Sequence, residues 1–205
     1  MKKTIFLDRD GVINKDVDNL YKIEQINILP NVPEALKKLK DQGFFLVVLT
    51  NQPVIARGLL TEEGAIKINE EISSIIYKKS GIKIDRFYFC PHHPSANLEK
   101  YRKNCACRKP LPGMIFQAKK ENDIDLENSY MVGDRKSDIL TGKKAGCKTI
   151  FILSGENVAK PILSSVSADE INQAEPDYTC KDLFEAAELI EKLEVKRGII
   201  NNKSE

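Results

Sequence analysis

The chain has 205 residues, is 41% hydrophobic and 30% charged, and carries a formal net charge of +2. That length suits one domain with a full core, and the small net charge argues against nucleic acid or an anionic membrane as partner. Met1-Lys2-Lys3 precedes an apolar run too short for a signal peptide, and no stretch approaches membrane-spanning length, so a cytoplasmic protein is expected.

Thr4 to Leu7 is a brief apolar run that ends in Asp8-Arg9-Asp10-Gly11. It reads as a buried parallel strand whose carboxyl end opens into a loop, with Gly11 letting the chain turn away at once. Asn14 to Ile28 is a polar connection. Asn31 reads as the N-cap of a helix that buries Val32, Ala35, Leu36 and Leu39 and stops at Gly43. Phe44 to Leu49 is a second buried strand, tipped by Thr50-Asn51-Gln52, and completes a βαβ unit. A helix from near Thr61 turns Ile68, Ile72, Ile75 and Ile76 inward. Arg86 to Cys90 makes a third strand. Pro91 to Lys109 has neither helical nor strand period. Pro112 suits the first turn of a helix that runs to about Asn122. Ser129 to Val132 is a fourth strand ending in Gly133-Asp134, followed by a short helix and a fifth strand, Cys147 to Leu153. Ser154 to Asp177 reads as a long loop. Leu183, Ala186, Ala187, Ile190 and Leu193 mark a last amphipathic helix, and the tail after Lys196 is expected to fray. Strands alternating with helices predict an α/β fold, a doubly wound, Rossmann-like parallel sheet, with residues 1–196 forming a single domain.

Three of these strands end in polar groups at what would be one edge of the sheet: Asp8 and Asp10, Thr50-Asn51, and Gly133-Asp134. Arg108-Lys109 lies in a loop between them. Two carboxylates one residue apart suit a hard cation and a carboxylate nucleophile, which is what phosphoryl transfer from an ester to water requires. These residues resemble, in order, the four motifs of the haloacid dehalogenase-like (HAD-like) phosphatases: Asp8-Arg9-Asp10-Gly11, Thr50-Asn51, Lys109, and Gly133-Asp134 with Asp138. The resemblance implies that Asp8 is the nucleophile and Asp10 the general acid/base. It implies that Mg²⁺ is held by the side chains of Asp8 and Asp134 and the backbone carbonyl of Asp10. Thr50 and Lys109 would hold the transferring phosphoryl group, and Asp138 would orient its neighbours.

The patternless loop carries a second signal. Cys90 and His92 stand one residue apart, as do Cys105 and Cys107, which together make a four-ligand set suited to structural Zn²⁺ in loop 90–107. His92 is preferred to the adjacent His93 by its spacing and by the resemblance that follows. Cys147 and Cys180 read as packing residues. A metal would fix a loop that has little apolar content of its own, and would hold Arg108 and Lys109 over the phosphate site.

Cys-Pro-His-His-Pro followed by Cys-x-Cys-Arg-Lys-Pro-x-Pro-Gly-Met resembles the D,D-heptose 1,7-bisphosphate phosphatase branch, with the histidinol-phosphate phosphatases as near relatives. The branch implies removal of the C7 phosphate of a heptose bisphosphate, on the route to nucleotide-activated heptose. It also implies substrate contacts from Asn51, Gln52, Arg108 and Arg135. The chain departs from the branch at Pro53-Val54, where Ser-Gly is common, at Asp16-Val17-Asp18-Asn19, and at Arg135, where Lys is common. There is no room for a large cap domain between the motifs. The alternatives are a histidinol-phosphate phosphatase, with Asp16 and Asp18 as carboxylates for its amine, and an inactive zinc-stabilised binding protein. A monomer acting on a small phosphorylated sugar, without nucleic acid or membrane, is expected.

Overall fold

The computed structural model describes residues 1–153 and 174–198. Six parallel strands run β1 (Lys2–Leu7), β2 (Phe45–Asn51), β3 (Arg86–Cys90), β4 (Ile124–Gly133), β5 (Lys148–Ile152) and β6 (Tyr178–Cys180), in the sheet order β3-β2-β1-β4-β5-β6. The helices are α1 (Val32–Asp41), α2 (Pro53–Ala56), α3 (Glu62–Ser80), α4 (Gly113–Asn122), α5 (Lys136–Ala145) and α6 (Leu183–Lys196). The doubly wound expectation holds. No inserted cap domain is present among the described residues, and no helix among them is long and apolar enough to cross a membrane.

Side-chain alternation along each strand divides the core between the two faces of the sheet. Ile5, Leu7, Leu46 and Val48 pack with Leu36, Ile72 and Ile190 from α1, α3 and α6. Phe6, Val47, Leu49 and Met131 pack with Met114, Ile115 and Ala118 of α4. Both faces are covered, which is why these strands are almost continuously apolar. Strand order reverses at β1, whose successors lie to one side through β2 and β3 and to the other through β4 and β5. The crevice beyond the carboxyl ends of β1 and β4 is therefore the topological switch point, where ligands of such sheets bind.

Several local expectations need correction. β4 begins at Ile124, five residues before the run Ser129 to Val132, because its pairing with β1 shifts register between Lys3 and Ile5. The Ser129 hydroxyl accepts from the Thr4 amide at 2.9 Å and fills that gap in the ladder. The sixth strand, at Tyr178–Cys180, was not expected. Pro112 is the N-cap of α4 and lies just outside it. Asn31 does precede α1, but in a left-handed conformation (φ 60°) and without a side-chain capping bond. The expected loop 154–177 lies outside the described residues up to 173, and the expected tail does so from 199.

Glu194 of α6 is fully buried at the far end of the sheet. It accepts from Lys3 Nζ at 2.7 Å and from the Tyr130 hydroxyl at 3.0 Å. Burial and then the Glu194 charge push the Tyr130 hydroxyl well above its ordinary value, so it keeps the proton that it donates to Glu194. Glu194→Ala strands both donors, and a loss of roughly 2–3 kcal/mol in urea unfolding is expected, the partial exposure of Lys3 moderating it.

Candidate active site

Asp8 leaves β1 at the switch point, where its amide donates to Val132 O of β4 at 3.0 Å. This bond ties the two strand ends together. Asp134 follows β4 and is fully buried. Gly11 (φ +92°) passes so close to Asp134 that a Cβ there would collide with its carboxylate, so glycine is required on two counts. Asp138, in the first turn of α5, accepts from the Arg135 amide at 3.0 Å and is fixed by it. The carboxylate oxygens of Asp8, Asp134 and Asp138 lie within 4.8 Å of one another.

Lys109 enters this cluster from the loop that follows β3. Its Nζ stands 2.9 Å from Asp8 Oδ1 and 2.7 Å from Asp138 Oδ1, and donates to Leu49 O at 2.9 Å. Burial alone would lower its pKa, but Asp138 and Asp8 outweigh that and hold it above the ordinary lysine value. Asn51, at the tip of β2, grips the lysine backbone from both sides. Its Oδ1 accepts from Lys109 N at 3.1 Å and its Nδ2 donates to Lys109 O at 3.0 Å. The expected substrate residue Asn51 thus also clamps the lysine loop.

One lysine among three buried carboxylates leaves an excess of negative charge. Burial pushes the Asp8 carboxyl up to about 8; Asp138 and Asp134 add to the rise and Lys109 opposes it. An all-oxygen set with surplus charge fits a hard divalent cation, which would favour the ionised form of Asp8.

Thr50 is buried beside the cluster, its Oγ1 accepting from Gln52 Nε2 at 2.8 Å, and the same nitrogen reaches Asp10 Oδ2 at 3.2 Å. Asp10 itself is held by the fully buried Arg9, a contact that the motif alone does not reveal. The site opens into a cavity of about 910 Å³ whose wall includes Arg57, His93, Arg108 and Arg135. Arg108 donates to His92 O at 3.0 Å, while its buried Nε has no hydrogen-bond partner among the described residues. Arg135 pairs with Asp16 at 2.7 Å.

The loop ligands also converge. The Sγ atoms of Cys90, Cys105 and Cys107 are 3.2–3.4 Å apart, and His92 Nδ1 lies 3.7 Å from Cys90 and 3.4 Å from Cys107. A tetrahedron of ~2.3 Å Zn–S bonds has edges of about 3.8 Å, so these four atoms need spread only slightly around an ion. Hydrogen bonding from Cys90 brings the Cys107 thiol down to about 5, against the effect of burial. His93 lies outside the cluster, its Nδ1 accepting from the Ser95 amide at 3.1 Å. The set is compatible with zinc, and it leaves no open position for chemistry.

A family profile described as HAD-hydrolase-like matches residues 106–186. A relative from Pasteurella multocida, named D-glycero-β-D-manno-heptose-1,7-bisphosphate 7-phosphatase, is 39% identical over 94% of this chain and 99% of its own length. A relative from Photorhabdus laumondii, named for the α-anomer, is 38% identical over 82% of this chain and 92% of its own length. Among solved structures, a D,D-heptose 1,7-bisphosphate phosphatase from B. bronchiseptica, complexed with magnesium and phosphate, is similar with a TM-score of 0.76. It is 29% identical, and the match covers 93% of this chain and 99% of that one.

Proposed function

Because this chain belongs to the HAD-like hydrolases and, within them, to the heptose bisphosphate phosphatase branch, we propose that it removes the C7 phosphate of D-glycero-D-manno-heptose 1,7-bisphosphate through an aspartyl phosphate. The product serves the synthesis of nucleotide-activated heptose. The observation that carries the reading is the buried Asp8 carboxylate, held 2.9 Å from Lys109 at the switch point with Asp134 and Asp138 around it.

Asp8 attacks phosphorus while Asp10 gives a proton to the leaving sugar oxygen. Asp10 then takes a proton from the water that cleaves the aspartyl phosphate, and inorganic phosphate is released. Lys109 and Thr50 hold the phosphoryl oxygens as charge builds on them. Asp8, Asp134 and the Asp10 carbonyl would hold Mg²⁺, which would offset the repulsion between an anionic nucleophile and an anionic ester. Cys90, His92, Cys105 and Cys107 would hold Zn²⁺, which would fix the loop that delivers Lys109. Arg108 suits the second, non-reacting phosphate, since its guanidinium carries a buried donor with no partner among the described residues and a planar fork that matches phosphate oxygens. Gln52 and Arg135 border the remaining sugar.

The test is phosphate release with Mg²⁺ from both anomers of heptose 1,7-bisphosphate, beside histidinol phosphate and fructose 1,6-bisphosphate. A preference of ~100-fold or more in kcat/KM for heptose 1,7-bisphosphate over histidinol phosphate is expected, because a site built around two phosphates rejects a substrate that leaves one cationic group unpaired. A preference for histidinol phosphate would overturn the substrate reading. Asp16 does not favour that outcome, since it is already engaged by Arg135.

A further inference from the structure

Arg9 stands between the two acids of the β1 loop and is wholly buried, yet no step above uses it. A guanidinium removed from water must find partners for its charge and its donors within the protein. Its Nε and Nη2 donate to Oδ1 and Oδ2 of Asp10 at 3.1 and 2.8 Å, a two-point fork that fixes the plane of the carboxylate. Its Nη1 donates to Oδ1 of Asn69 at 3.1 Å. Asn69 is a buried residue of α3, a long helix packed on the sheet, and so gives the arginine a rigid anchor. Without that anchor the fork could swing, and Asp10, whose side chain is one-fifth exposed, would swing with it.

We propose that Arg9 and Asn69 are positioning residues for the proton transfers at Asp10. Asn69 sets the plane of Arg9, and Arg9 sets the direction in which Asp10 presents its carboxyl to the leaving oxygen. The inference rests on the reading of Asp10 as general acid/base. In the first half-reaction the Asp10 proton passes to the sugar oxygen as its bond to phosphorus breaks, and the carboxylate so formed settles into the Arg9 fork. In the second, attacking water loses its proton to Asp10 as the new O–P bond forms and the bond from Asp8 to phosphorus breaks.

The test uses Asn69, because removing the buried cation itself endangers the fold. Leaving-group release in the first turnover is timed for the preferred sugar phosphate and for p-nitrophenyl phosphate, whose phenolate departs without a proton. Asn69→Ala is expected to slow release of the sugar about tenfold while changing p-nitrophenolate release less than about twofold, since only the sugar needs general-acid help. Asn69→Asp, which keeps an accepting oxygen, should restore the sugar rate. KM should hold in both variants. Asp10→Asn sets the scale, with a loss of ~100-fold or more confined to the sugar ester. An equal loss on both esters in Asn69→Ala, beside a selective loss in Asp10→Asn, would overturn the relay alone. An equal loss in Asp10→Asn would remove the acid/base reading and the relay with it.

Discussion

Asp8→Asn is expected to release phosphate at least ~10⁴-fold more slowly than the parent chain, because an amide cannot form the hydrolysable acyl phosphate. The substitution should leave the fold intact. Lys109 keeps its 2.7 Å contact with Asp138 and its bond to Leu49 O, so no buried cation is stranded. In metal-free protein the variant should even be the more stable at neutral and higher pH. With its pKa raised to about 8 when folded, Asp8 binds its proton more tightly in the native state than in the unfolded one. Its contribution to stability is therefore full below the ordinary carboxylate range and is lost as pH rises toward 8. Thermal melts across that window, with and without Mg²⁺, check the sign: the advantage of Asp8→Asn should grow with pH and shrink when Mg²⁺ is added. A variant with more than about a hundredth of the parent rate would overturn the nucleophile assignment.

Cys107→Ser is expected to lose stoichiometric zinc and to lower kcat/KM roughly 100-fold, with the sheet intact by circular dichroism. Serine removes one of four ligands, and Arg108 and Lys109 follow directly in the chain. Ala96 and Tyr101 pack one part of the loop against Val54, Ile55 and Ala65, while Cys90, Cys105 and Cys107 border the main core, so zinc would order chiefly the segment that leads into Arg108 and Lys109. Asn51 still grips the Lys109 backbone, which is why activity should fall sharply without vanishing. Metal analysis beside the kinetics separates the outcomes. A zinc-free variant with the parent kcat/KM would show that the loop holds its shape unaided.

The long apolar segments of this fold were legible because burial on both faces forces unbroken runs such as Phe6-Leu7 and Val47-Val48-Leu49. What escaped were pieces whose stability comes from pairing. β6 is three residues with a polar centre, and the start of β4 carries Asp125 and Glu127 on a register shift. Pro53 reads in the sequence as a lost backbone donor. In the fold it opens α2, where the missing N–H has no intrahelical role. Asp8, Asp10 and Asp134 were readable from their places at strand tips, Lys109 from the motif that it shares with a known family, and the Cys/His set from its spacing and the family likeness of its loop. Asn51 as a clamp and Arg9 as a fork were not, because both roles depend on contacts with distant residues, Lys109 and Asn69.

The sheet order separates two kinds of change that mutation can make. Asp8, Thr50 and Asp134, which the proposed mechanism sets around the phosphoryl group, hang from the tips of β1, β2 and β4 in the centre of the sheet. Asp16, Arg57, His93 and Arg108, which line the rest of the cavity, lie on connections outside the strands. A lineage can therefore rewrite what enters the cavity, one loop at a time, without once passing through a sequence that has lost its chemistry. The departures at Asp16–Asn19 and Pro53-Val54 fall on those connections, which is where selection could accept them.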